Sequence, residues 1–171
     1  HVEYMRGIAN PIGVKVGQAT PPEQVLRLLE ILNPGNEPGR ITLIHRFGAE
    51  KIEAGLAPLV RAVRAAGHTV LWMCDPMHGN TRSTSNGFKT RRFEEIEAEL
   101  SLAFDIHAGC GSILGGVHIE LTGENVTECI GGARGLREQD LHLAYESEVD
   151  PRLNYEQSLE LALLVARKLS R

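Results

Sequence analysis

The chain has 171 residues, 42% of them hydrophobic, so residues 1–171 read as a single domain with one real core. The net charge of -4, with 18 basic residues scattered among 22 acidic ones, excludes a nucleic-acid stripe and a basic membrane-binding face. Small anionic ligands stay open, through local Lys and Arg. No apolar run reaches the length of a membrane span. Cys74, Cys110 and Cys129 contain no Cys-x-x-Cys pair, which argues against a disulfide scaffold or a structural zinc site and fits a reducing cytoplasm. The first residues lack the regions of a signal peptide, so the Asn125-Val-Thr127 glycosylation pattern is read as chance. The absent initiator Met leads to the expectation of a cut fragment.

Ile12 to Val16 is a β-prone run, and Thr20-Pro-Pro-Glu23 opens an amphipathic helix with Val25, Leu28, Leu29 and Leu32, closed by Asn33-Pro-Gly35. Arg40 to His45 is the second strand. After Gly48 a helix runs to about Ala66, ending at Gly67, a good C-cap residue. His68 to Cys74 is the third strand, and its partner helix, about Arg92 to Ala108, follows a long polar loop from Asp75 to Arg91. Val117 to Leu121 is the fourth, followed by an irregular stretch and a helix from about Asn154 to Lys168.

Four consecutive βα units of this kind predict an α/β fold with parallel strands under a helical layer. A doubly wound sheet is one solution, but Val14-Lys-Val-Gly-Gln18 lacks its usual Gly-rich phosphate turn. A full (β/α)8 TIM barrel needs about 250 residues, so half a barrel is the natural reading.

Barrel chemistry sits at the C-terminal ends of the strands. Lys15, Arg46, His78 and Glu120 all fall there, in successive units, and Asp150 precedes the last helix. Lys15 and Arg46 form a cationic rim suited to phosphate or carboxylate. Their bland reading is a solvated or salt-bridged cation. His78, Glu120 and Asp150 offer a histidine and two carboxylates, a set for a hard or borderline divalent cation. Taken singly, they are a loop histidine, a buried arginine's partner and a turn residue. Lys89 either adds a cation over the rim or leads the next helix as a basic turn. His118 shares Glu120's face on a regular strand, as a helper of the metal site or a core histidine, and Cys74 reads as a small buried hydrophobe.

Asn10-Pro-Ile-Gly-Val-Lys15, Cys74-Asp-Pro-Met-His-Gly-Asn-Thr81, Gly87-Phe-Lys-Thr-Arg91, Glu120-Leu-Thr-Gly-Glu-Asn-Val-Thr-Glu-Cys129 and Asp150-Pro-Arg-Leu-Asn154 resemble class II 3-deoxy-D-arabino-heptulosonate 7-phosphate (DAHP) synthases nearly end to end. The resemblance implies the C-terminal half of a barrel that condenses phosphoenolpyruvate with erythrose 4-phosphate, at the entry to the shikimate pathway. It implies that Lys15 and Arg46 hold phosphoenolpyruvate, and that His78, Glu120 and Asp150 bind manganese or cobalt. The metal would polarise the sugar aldehyde while C3 of phosphoenolpyruvate attacks it; water adds at C2 and phosphate departs.

A fourth ligand, a cysteine, and further phosphoenolpyruvate-binding residues lie upstream in that family, outside this chain. The chain also has His45-Arg-Phe-Gly48 where Ser-Arg-Met-Gly is usual, and Gln18 where proline is common. Open strand edges imply a missing half-barrel in cis or in trans, or a homo-oligomer. A self-paired half is expected to show weak or no synthase activity. The alternatives are a non-catalytic remnant or partner subunit of a full-length synthase, and an enzyme acting on an amino-sugar phosphate or another phosphorylated sugar.

Overall fold

A computed structural model describes residues 1–170. In chain order it contains α1 (Val2–Arg6), β1 (Ile12–Val16), α2 (Pro22–Leu32), β2 (Ile41–His45), α3 (Ile52–Ala65), β3 (Leu71–Cys74), β4 (Thr81–Ser83), β5 (Lys89–Arg91), α4 (Phe93–Gly109), β6 (Gly116–Val117) and α5 (Tyr155–Leu169). Four strands form one parallel sheet, in the order β1-β2-β3-β6. The register sets Lys15 beside Ile44, Ile44 beside Met73 and Met73 beside Gly116.

Side chains alternate across a strand, and here the two faces have different fates. Ile12, Val16, Ile41, Leu43, Trp72 and Cys74 are buried with Val25 and Leu29 of α2, Leu56 and Val60 of α3, Ile96 and Leu100 of α4, and Leu161 of α5. Consecutive helices are neighbours, α2 against α3, α3 against α4 and α4 against α5. The opposite face, with Gly13, Lys15, Thr42, Ile44, Leu71 and Met73, is exposed or half-buried, and Leu71 is 44% exposed. A doubly wound sheet would be covered on both faces; this one is covered on one.

Local chemistry explains the helix boundaries. Pro22 begins α2, where a missing N–H costs nothing. Asn154 and Gln157 open α5 with reciprocal bonds, Gln157 N–H donating to Asn154 Oδ1 at 3.0 Å and Asn154 N–H to Gln157 Oε1 at 3.2 Å.

Three elements differ from expectation. The fourth strand is only Gly116–Val117 instead of 117–121. Among the described residues it has a ladder partner on one side alone, so little holds 118–121 extended; Leu121 pairs instead with Leu153 in a single parallel bridge. The stretch from Asp75 to Arg91, expected as a loop, holds a 3-10 turn at His78–Asn80 and the antiparallel hairpin β4–β5. Its tip is Asn86-Gly87, with Gly87 at φ +83°, a turn signal that was readable in the sequence. The short helix α1 was not anticipated.

Candidate metal and anion site

Asp75 leaves β3 at its C-terminal end and is fully buried. Its Oδ1 accepts the backbone N–H of Met77 at 3.0 Å and of His78 at 3.1 Å, which folds the following residues into a tight turn. Its Oδ2 binds Lys15 Nζ and, at 2.7 Å, His78 Nδ1. Burial pushes this carboxyl's pKa up, but the bonds from Lys15 and His78 outweigh it and hold the pKa below the usual carboxylate value. With Nδ1–H committed to Asp75, the lone pair of His78 sits on Nε2. That is the orientation a metal-binding histidine needs.

His78 Nε2 faces Glu120 Oε1 at 3.4 Å and Asp150 Oδ2 at 3.9 Å. Each carboxylate turns its other oxygen to a cation. Glu120 Oε2 accepts from Arg91 at 2.5 Å, and Asp150 Oδ1 lies 3.5 Å from Lys89 Nζ. The donor atoms of His78, Glu120 and Asp150 lie within 4.8 Å of one another, all half-buried. A nitrogen and two oxygens at this spacing fit a divalent cation of intermediate hardness.

The supports are buried. Arg91 is fully enclosed; its Nε donates to Thr81 Oγ1 at 2.9 Å and its guanidinium also reaches the carbonyl of Pro151, next to Asp150. Thus one arginine fixes Glu120 and the Asp150 loop together. Glu128, also buried, accepts the N–H groups of Glu146, Ser147 and Arg152 and a two-pronged contact from the Arg152 guanidinium. Burial raises its pKa, but the bonds from Arg152 and the backbone bring it below the usual value.

Arg46 follows β2, where its backbone N–H donates to Val16 O at 2.9 Å. Its exposed guanidinium makes no ion pair among the described residues, and it lines one cavity with Lys15, Gly17, Gln18, Thr20 and Gly79. The loops forming that cavity meet backbone to backbone. Gly48 has φ +85°, and a Cβ there would stand 2.7 Å from Gly79 O.

The five residues singled out from sequence therefore fall at one end of the sheet. Lys15 is linked through Asp75 to His78, Glu120 and Asp150, while Arg46 adjoins Lys15 and not the ligand trio. Lys89 stands on β5 beside Asp150 rather than on a loop. His118, beyond the end of β6, is half-buried, its ring 6.2 Å from that of His78; it is not a core histidine and has no side-chain hydrogen bond among the described residues. Sequence reasoning gave no role to Asp75, Arg91 or Glu128. The Asp-Pro-Met-His spacing could have flagged Asp75, since a carboxylate three residues before a ligand histidine can reach its ring; nothing local marked the others.

A one-sided parallel sheet with cations and a three-donor cluster at its C-terminal strand ends defines the class: a βα-repeat protein with its ionisable side chains gathered at one end of the sheet. The sequence model of the Class-II DAHP synthetase family matches residues 1–166, and the chain belongs to that family. It is 52% identical, over 99% of its length, to the phospho-2-dehydro-3-deoxyheptonate aldolase AroG of Mycolicibacterium smegmatis, of which the match covers 36%. It is 55% identical, over 97% of its length, to the phospho-2-dehydro-3-deoxyheptonate aldolase of Neurospora crassa, of which the match covers 35%. The chain thus spans about a third of the length of these relatives.

Proposed function

We propose that this chain supplies the metal-binding and phosphoenolpyruvate-binding wall of a DAHP synthase, a transferase that joins phosphoenolpyruvate to erythrose 4-phosphate at the start of aromatic biosynthesis. Relatives with over half their residues identical support the reaction class. The observation that carries the site assignment is the orientation of three donors, His78 Nε2, Glu120 Oε1 and Asp150 Oδ2, toward one point while Asp75, Arg91 and Lys89 occupy their other atoms.

Manganese or cobalt suits this donor set, and when bound would supply Lewis acidity to the aldehyde oxygen. The protein's own residues do the rest. Lys15 and Arg46 neutralise the carboxylate and phosphate of phosphoenolpyruvate and orient its C3 toward the aldehyde carbon. Asp75 keeps the His78 tautomer fixed and draws Lys15 inward. Arg91 holds Glu120 in place against the pull of the cationic rim, and Lys89 does the same for Asp150, leaving it near an incoming phosphorylated aldehyde.

The bare sheet face supports a barrel whose other wall is additional chain, in cis or in trans. Partly exposed Ile44, Met73 and Leu71 would line its interior, and β1 and β6 each have a ladder partner on one side only among the described residues. By itself the chain is expected to bind phosphoenolpyruvate weakly and to turn over little or none. No described helix is long and apolar enough to cross a membrane, and an aqueous compartment such as the cytoplasm suits a pathway of phosphorylated metabolites.

Metal content of wild type, His78→Ala and Glu120→Ala, measured by plasma mass spectrometry after manganese loading, tests the assignment. Both variants are expected to lose manganese; undiminished content in both would sink it. Titration with phosphoenolpyruvate separates a working wall from a non-catalytic remnant, which would not bind. Substrate profiling distinguishes erythrose 4-phosphate from an amino-sugar phosphate.

A further inference from the structure

Behind the sheet, on the face covered by helices, lies a second set of donors that the proposed reaction does not use. His45 ends β2, Cys74 ends β3 and Glu99 projects from α4, and all three have zero solvent exposure. Their donor atoms lie within 4.8 Å of one another.

His45 Nε2 is 3.4 Å from His107 Nε2, and His107 Nδ1 is 3.1 Å from Ser112 Oγ. In the tautomer in which His107 Nδ1–H donates to Ser112 Oγ, His107 Nε2 accepts and His45 Nε2–H donates to it. The remaining nitrogen of His45, Nδ1, then carries a bare lone pair; it is buried and has no hydrogen-bond partner. Buried polar atoms are rarely left this way. The Cys74 thiol makes no hydrogen bond among the described residues either, and is not paired in a disulfide. Among the described residues no cation pairs with Glu99; its Oε1 accepts Phe47 N–H at 2.8 Å and its Oε2 accepts Asn80 Nδ2–H at 2.8 Å. Such bonds are what orients a ligand carboxylate.

We infer that His45, Cys74 and Glu99 form a second, buried site for a thiophilic divalent cation of the zinc or cobalt type, pinning β2, β3 and α4 together behind the anion site. The charge balance favours it. A divalent cation with one thiolate, one carboxylate and one neutral imidazole has zero net charge, which a dry core tolerates. Without the ion His45 and Cys74 stay uncharged and Glu99 holds a proton part of the time: burial pushes the Cys74 thiol up and the Glu99 carboxyl up to about 7, and holds His45 down at about 3. Binding therefore expels the Cys74 proton, and the Glu99 proton where it is present, as the cation enters.

Because the donors are enclosed, the ion must be present while the chain folds. The test uses the 171-residue chain carrying His78→Ala, so that the front site is removed, expressed in cobalt-supplemented medium. Expected are one equivalent of cobalt and a thiolate-to-cobalt charge-transfer band in the near ultraviolet. The band should vanish in His78→Ala/Cys74→Ser and persist when Cys110→Ser or Cys129→Ser replaces that second change. No band in His78→Ala, or a band that survives Cys74→Ser, overturns the inference. If Cys74→Ser does not fold, X-ray absorption of the zinc-loaded His78→Ala chain decides: one sulfur at about 2.3 Å supports the site, and nitrogen and oxygen neighbours alone overturn it. Neither result depends on phosphoenolpyruvate binding, so this inference and the proposed function fail separately.

Discussion

His45 and Arg46 are adjacent in sequence, as are Cys74 and Asp75, yet each pair divides between the two faces of one sheet. Arg46 and Asp75 belong to the open end, where donors are half-buried, each carboxylate is matched to a cation, and ligands can arrive from water. His45 and Cys74 point under the helices into a sealed cluster, where both stay uncharged. Two potential cation sites thus lie back to back across a single layer of backbone, and the difference between them is solvent access. The open site can exchange ligands and support chemistry; the closed one can only stabilise.

Removing a buried charge partner at the open site should have the largest effect. Arg91→Ala leaves Glu120 and the Pro151 carbonyl without their donor and is expected to cost about 3–5 kcal/mol in urea denaturation. Arg91→Lys should recover little, since a lysine cannot span Thr81, Glu120 and Pro151 together. Wild-type stability in Arg91→Ala would mean that the site is not held as described.

The two sheet faces can be compared directly. Leu43→Ala, on the covered face, should cost about 2–5 kcal/mol, whereas Leu71→Ala on the bare face should cost under about 1 kcal/mol in this chain alone. Equal losses would mean that the open face is covered in solution.

Asp75→Asn keeps the shape of the turn but weakens the grip on His78 Nδ1. Manganese affinity by calorimetry should fall about 10–100-fold, with the cobalt–thiolate band of the rear cluster unchanged.

Glu128→Gln provides the pH test. The Glu128 pKa is below its ordinary 4.5 in the folded chain, so the folded state binds fewer protons than the unfolded one in that window. Its contribution is complete above about pH 4.5 and is lost as pH falls through the lower folded value. The variant should be less stable than wild type by about 1–3 kcal/mol at pH 7, with the gap closing below pH 4.5. A gap independent of pH would show that Glu128 does not act through its charge.

Apolar periodicity and turn residues were enough to place the main strands and helices, because burial of one face imposes a pattern on each segment by itself. The same local signals placed Lys15, Arg46, His78 and Glu120 at strand ends. Only the tertiary structure decided which side chains share a site: Arg91 joins Glu120 across 29 positions, Lys15 joins Asp75 across 60, and His45 meets His107 across 62. It also decided that His45 and Cys74 face the helical layer while Arg46 and Asp75 turn to the open end of the sheet, since alternation fixes that two adjacent residues differ in side but not which side the helices will cover.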